Sequence, residues 1–132
     1  MSTELTMLAW SVVLAIAQII AAAQVNTARQ GFAYGASPRD EPPPRTPSVL
    51  GGRLERAAKN MMETFPLAAA AILIAAVLGR SNGYTVWGAQ LYFWARLFYV
   101  GAYATSIPVV RTLLFLAGNV GFLLVLFGAT RS

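Results

Sequence analysis

Long apolar runs alternate with short polar or proline-containing segments along the whole 132-residue chain. Each run is close to the ~20 residues that an α-helix needs to cross the hydrocarbon core of a bilayer. The pattern therefore predicts an all-α fold, an integral membrane four-helix bundle in one membrane domain over residues 1–132. The predicted spans are residues 5–27, 53–79, 84–107 and 112–129.

The connections between the runs contain residues that interrupt helices. Residues 28–52 include SPRDEPPPRTP, where each proline lacks an N–H group and restrains the residue before it, so we expect a stiff, extended loop. The RSNG sequence at residues 80–83 predicts a tight turn. We expect Pro108 to Arg111 to break the third run from the fourth.

Composition excludes several other classes of protein. Hydrophobic residues make up 57% of the chain and charged residues only 11%, whereas in a soluble domain about a quarter of residues are charged. The net charge of +5 is scattered between apolar runs and forms no single basic face for nucleic acid. With neither cysteine nor histidine, and with only five carboxylates spread along the chain, we expect no metal site.

The charges near the runs predict the topology. Glu4 is the only charge ahead of the first run, so we interpret that run as a retained anchor and not a secretory signal. One side of the membrane receives Arg29, Arg39, Arg45, Arg53, Arg56, Lys59 and Arg111, and the other receives only Arg80 and Arg131. By the positive-inside rule, we expect the long loop in the cytoplasm and both termini on the opposite side.

Two helical faces carry polar side chains inside the predicted bundle. At ~100° per residue, one stripe in the second span fills a sector of about 120°, and one in the third span fills about 60°. Their members are Arg53, Arg56, Lys59, Asn60 and Glu63 in the second span, and Tyr92, Arg96, Tyr99 and Tyr103 in the third. Because charged side chains in mid-span normally face the bundle interior or a wet cavity, we expect Glu63 and Arg96 to point inward and form a polar pocket.

Other interpretations of these residues stay open at this level. Arg53 and Lys59 could extend to the membrane surface and report only topology. Glu63 and Arg96 could neutralise each other as a structural ion pair, and Arg111 could be an ordinary loop charge. A pocket, by contrast, would suit a small, charged, mainly anionic molecule with one positive group opposite Glu63, and an apolar reactant could join it from the lipid.

The motifs RLERAAKNMMETFP and ARLFYVGAY, the latter followed by Pro108 and Arg111, resemble the second- and third-helix signatures of a known family. It comprises the membrane-associated proteins in eicosanoid and glutathione metabolism (MAPEG). The order of spans and the proline-rich first loop also agree, so the resemblance extends over nearly the whole chain. It implies a homotrimer that binds glutathione between subunits near the cytoplasmic side, and here a bacterial member in the inner membrane.

The resemblance also implies roles for individual residues. Glutathione-binding positions are Arg56, Lys59, Asn60, Glu63 and Arg96, with Arg29 supplied by a neighbouring subunit. Tyr99 is added to them because it shares the polar face of Arg96 in the third span. Glu63 would pair with the ammonium group of the tripeptide. Arg111 would stabilise the thiolate, and Tyr103 is the rival for this catalytic role. The chain departs from the enzymes of the family at Thr105 and Ser106, where they usually have a further arginine.

Three hypotheses follow for function. The first is a glutathione-dependent transferase or peroxidase that acts on lipophilic electrophiles or lipid hydroperoxides. The second is a non-catalytic membrane protein of the same family that binds lipid or glutathione. The third is a small proton-coupled transporter that uses Glu63. It is the weakest of the three, because the surplus of arginines around this one acid would repel organic cations.

Overall fold

The structure, a computed structural model, describes residues 2–46, 48–105 and 107–131. These residues form five helices, four of them long, and no strand. The helices are α1 (Thr3–Gln30), α2 (Phe32–Ala36), α3 (Val49–Val77), α4 (Gly83–Ala104) and α5 (Pro108–Thr130). The all-helical prediction is thus confirmed.

Side chains next to the helices fix where three of them begin. Ser2 and Ser48 accept hydrogen bonds from Leu5 N at 3.2 Å and Gly51 N at 2.9 Å, at the starts of α1 and α3. Asn82 caps α4 by accepting from two backbone N–H groups, while the Thr85 hydroxyl accepts from Asn82 N. Such caps supply partners for N–H groups that the helix itself leaves unpaired.

The third and fourth long helices are separate, as predicted, but the break lies before Pro108 and not at Pro108 to Arg111, because α4 ends at Ala104 and α5 begins at Pro108. Pro108 is the first residue of α5, and Arg111 N already donates to Ile107 O at 3.0 Å. Proline is well tolerated at this position because its missing N–H would have had no partner in the helix. Arg111 therefore lies in the first turn of α5. The short helix α2 inside the first connection was also not predicted.

Three helices of the described chain are long and apolar enough to cross a membrane: α1, α3 and α5. The remaining long helix, α4, does not reach that hydropathy, since its 22 residues include Gln90, Arg96 and several tyrosines and tryptophans. The chain is therefore a membrane helical bundle with three apolar spans. The fourth span stays a prediction.

Small residues allow α4 and α5 to pack backbone against backbone. A Cβ atom added to Gly88 would lie 2.5 Å from Gly121 O, and one added to Gly121 would lie 2.7 Å from Gly88 O. Close contacts of this kind stabilise helix pairs in lipid, where hydrophobic burial offers little. Further along, Gly118 faces the side chain of Arg96, where an added Cβ would be 3.5 Å from Cδ.

Polar contacts bring both ends of the chain to one end of the bundle. Thr85 Oγ1 donates to Glu4 Oε2 at 2.7 Å, which joins the start of α4 to the start of α1. Arg80 Nη1 donates to Ala129 O at 2.9 Å, next to the last turn of α5. We call this the terminal end of the bundle. The opposite end, with the connection between α1 and α3, is the loop end.

Candidate functional site

A polar pocket of about 310 Å³ opens between α3, α4 and α5 toward the loop end. Seven side chains line it, and all of them are among the residues singled out from the sequence. They are Arg56, Lys59, Asn60 and Glu63 from α3, Tyr99 and Tyr103 from α4, and Arg111 from α5. The pocket thus combines three cations, one carboxylate, one amide and two phenols.

Tyr103 lies between two arginines of this pocket. Arg56 Nε donates to the Tyr103 hydroxyl at 3.1 Å, and the Arg111 guanidinium lies 4.6 Å from the centre of the ring. A guanidinium over an aromatic face at this distance is electrostatically favourable. Since the phenol oxygen accepts from Arg56, its own O–H group is left to donate to a ligand in the pocket.

Arg96 forms the floor beneath these groups. Its side chain is only 1% exposed, and Nη1 donates to Asn60 Oδ1 at 2.9 Å. The guanidinium lies 4.1 Å from the centre of the Tyr99 ring. Its Nε and Nη2 atoms are buried and find no acceptor among the described residues. The inward orientation expected for Arg96 is therefore observed, and its partner is the amide of Asn60.

Glu63 faces the polar pocket, but from its open rim. It lines the pocket, but its side chain is exposed in the single chain. Within the part of the chain that the structure describes, no ion pair joins it to Arg96, which bonds to Asn60 instead. The physical reason is the orientation of α3, which buries the face of Ala57, Met61 and Thr64 against its neighbours and leaves Glu63 at the open rim.

Arg29 is the one predicted residue far from the pocket within this chain. It lies in the last turn of α1, is exposed, and donates from Nε to Thr46 O at 2.8 Å in the first connection. The resemblance assigned it to the site of a neighbouring subunit, and a single chain cannot bring it closer. Ser106, one of the two residues at the departure from the family pattern, lies outside the described residues.

A smaller cavity of about 200 Å³ adjoins the polar pocket on its α5 side and shares Asn60, Tyr99 and Arg111 with it. Its other lining residues, Thr112 and Phe115, were missed from the sequence. The available signal was their spacing: Phe115 stands one helical turn after Arg111 and shares its face. The helical face that Arg111 and Phe115 share was not predicted, because Arg111 was expected to lie in a break between two helices.

These observations define a class of protein: an integral membrane helical bundle with a basic, tyrosine-lined pocket between three of its helices. The family model of the MAPEG family matches residues 7–131. The chain therefore belongs to the MAPEG family, a membrane family of glutathione-related transferase and peroxidase type. No curated protein matches the chain.

Proposed function

We propose that this protein binds glutathione in the polar pocket and joins it through its sulfur to a lipophilic electrophile, or reduces a lipid hydroperoxide to the alcohol and water while two glutathione molecules are oxidised to the disulfide. The observation that carries the proposal is the convergence of Arg56, Glu63, Tyr103 and Arg111 on one pocket. Glutathione carries two carboxylates, one ammonium and one thiol. The cations, the carboxylate and the phenol of the pocket complement these groups in kind.

The arrangement supports a role for each side of the pocket. Glu63 at the open rim would receive the ammonium group, and Arg56 and Lys59 would receive a carboxylate. Asn60 is oriented by Arg96, so that its amide nitrogen is free to donate to the peptide. Charge-assisted hydrogen bonds of this kind are about twice as strong as neutral ones. They would orient the sulfur toward Tyr103 and Arg111.

Thiol activation would fall to Arg111 and Tyr103. The thiolate is the nucleophilic form of a thiol, and a nearby guanidinium in a site shielded from water favours it. Arg111 supplies the positive charge, and the Tyr103 hydroxyl, with its oxygen engaged by Arg56, can donate to the sulfur. The thiol proton leaves to water, a C–S bond forms at the electrophilic carbon, and the leaving group departs with its bonding electrons.

The lipophilic reactant would enter from the α5 side. The smaller cavity with Thr112 and Phe115 lies beside Arg111, and two apolar side chains of the same part of α5, Leu113 and Leu116, are exposed. A molecule dissolved in the membrane can therefore reach Arg111 without crossing the charged rim.

Assembly into a homotrimer is part of the proposal. A neighbouring subunit would cover Lys59 and Glu63, which are exposed in the single chain, and could contribute Arg29. We further propose a bacterial inner-membrane location with four spans, the loop end in the cytoplasm and both termini on the opposite side.

A non-catalytic glutathione- or lipid-binding protein of the same family is the second candidate. It is favoured by Thr105, which stands where the enzymes have a further arginine. A proton-coupled transporter stays the weakest alternative, since Glu63 is surrounded by cations.

The test uses purified protein in detergent with glutathione and a generic aryl halide, alongside a hydroperoxide assay. Turnover in either assay supports the enzyme. Glutathione binding by calorimetry without turnover supports a non-catalytic glutathione-binding protein. Neither binding nor turnover would refute both the enzyme and the glutathione-binding protein, and would leave the lipid-binding form of the second candidate.

A further inference from the structure

An open groove of about 680 Å³ lies at the terminal end of the bundle, between the start of α4 and the end of α5. Its lining consists of Asn82, Gly83, Tyr84, Trp87, Leu124 and Arg131. None of these residues lines the polar pocket, which opens toward the other end. The groove therefore needs an explanation of its own.

The contacts that shape the groove are internal to the protein. Asn82 Nδ2 donates to Gly128 O at 3.0 Å, and Asn82 Oδ1 accepts from Tyr84 N at 3.0 Å. A Cβ added to Gly128 would lie 2.7 Å from Tyr84 Cβ, so the two helices are already at their closest approach. These internal contacts fix the spacing of the two helices, and with it the shape of the groove.

Aromatic rings and a guanidinium form one stack at this end. The Tyr84 and Phe127 rings pack edge to face at 5.1 Å, and the Arg131 guanidinium lies 4.8 Å from the centre of the Phe127 ring. Trp87 is 68% exposed beside them. Because the apolar helix α5 ends at Thr130, this stack lies where the hydrocarbon core meets the headgroups, the level that tyrosine and tryptophan prefer.

The open face of this end carries positive charge. Among the described residues, the cationic side chains at this end are Arg80 and Arg131, and Arg80 uses Nη1 to bond Ala129 O. The carboxylate of Glu4 is 3% exposed and accepts from Thr85, so it does not face the groove opening. Arg131 therefore offers its charge next to an apolar, aromatic wall.

We propose that this groove binds a phospholipid with a net negative headgroup. The phosphate would contact the Arg131 guanidinium, and the upper part of one acyl chain would lie between Trp87 and Leu124. A zwitterionic headgroup brings its own cation close to Arg131 and would bind more weakly. The site is independent of glutathione and of the proposed reaction.

The test uses Trp87 as a reporter. The chain has three tryptophans, so Trp10→Phe with Trp94→Phe leaves Trp87 as the only one in the full-length protein. Brominated phosphatidylglycerol and brominated phosphatidylcholine are titrated separately into protein in mixed micelles. We expect half-maximal quenching at about fivefold less phosphatidylglycerol, since one cation near a membrane surface contributes a factor of this size.

Arg131→Gln should remove the difference between the two lipids, and Arg45→Gln, at the loop end, should keep it. Equal quenching by both lipids before Arg131 is changed, or a preference that survives Arg131→Gln, would overturn the proposal and leave an ordinary aromatic belt. Should the tryptophan variant fail to fold, native mass spectrometry of wild type and Arg131→Gln tests the same lipid preference. Wild type must then retain more phosphatidylglycerol than phosphatidylcholine, and the variant must not.

Discussion

Arg111 is the residue on which the proposed chemistry depends most directly. Its guanidinium lies 4.6 Å from the centre of the Tyr103 ring and borders both the polar pocket and the smaller cavity beside it. Arg111→Ala removes the positive charge closest to where sulfur and electrophile would meet. We expect a large loss of turnover and only a small loss of glutathione affinity.

The two effects can be estimated separately. Removing one preorganised donor that stabilises developing negative charge lowers turnover by about 10²- to 10³-fold. The lost contact with the Tyr103 ring is worth about 0.5–1 kcal/mol. If all of this free energy is lost from glutathione binding, the affinity falls about two- to fivefold. Arg56 still holds the Tyr103 hydroxyl at 3.1 Å, so the phenol should keep its place.

The assay compares wild type, Arg111→Ala, Arg111→Lys and Tyr103→Phe. Turnover is measured with glutathione and an aryl halide, affinity by calorimetry, and bound thiolate by ultraviolet absorbance near neutral pH. Arg111→Lys should recover only part of the activity, because an ammonium lacks the planar fork of the guanidinium. Arg45→Ala, an exposed arginine of the first connection, is the matched control and should behave as wild type.

Turnover of Arg111→Ala within about threefold of wild type would refute the reasoning, because it lies far below the loss expected for such a donor. If Tyr103→Phe then removed the thiolate signal, the phenol would be the activating group. A wild type that binds glutathione but shows neither thiolate nor turnover would favour the non-catalytic protein.

Three other predictions test the binding site, the assembly and the packing. Glu63→Gln should weaken glutathione binding at least about tenfold in calorimetry, by the loss of a charged hydrogen bond, with Glu41→Gln unchanged; equal affinities would remove the carboxylate from the site. Native mass spectrometry in mild detergent should show a homotrimer, and a purely monomeric species would contradict the proposed interface. Gly121→Ala should destabilise the bundle by about 1–3 kcal/mol, seen as a lower Tm. The added Cβ would lie 2.7 Å from Gly88 O, whereas Gly101→Ala, with open space around it, should have little effect.

Periodicity predicted which residues share a face, but not which way that face turns. The wheel grouped Arg56, Asn60 and Glu63 correctly, and all three line one pocket. It carried no reference direction for α3, so it did not predict that Glu63 would lie at the open rim of the pocket, exposed in the single chain. Only the packing of Met61 and its neighbours against the other helices fixes that direction.

The start of α5 shows a different limit. Proline predicts a break when it follows an apolar run, yet the same residue is favourable in the first turn of a helix. Both apply here, because α4 ends at Ala104 and α5 begins at Pro108. Because Arg111 was assigned to the break and not to the first turn of α5, the face that carries Arg111 and Phe115 was not predicted, and neither was the smaller cavity.

The exposure of the charged rim links ligand binding to assembly. Lys59 and Glu63 lie on the open side of a helix apolar enough to span a membrane, and a charge that faces lipid at mid-span costs about 2.5–3.5 kcal/mol on insertion scales. Glutathione or a neighbouring subunit can offset part of this cost by supplying opposite charges, and a ligand between subunits contacts both at once. The same open rim therefore takes part both in peptide binding and in the contact with a neighbouring subunit. For this reason, we expect glutathione affinity and subunit association to change together when the rim is altered.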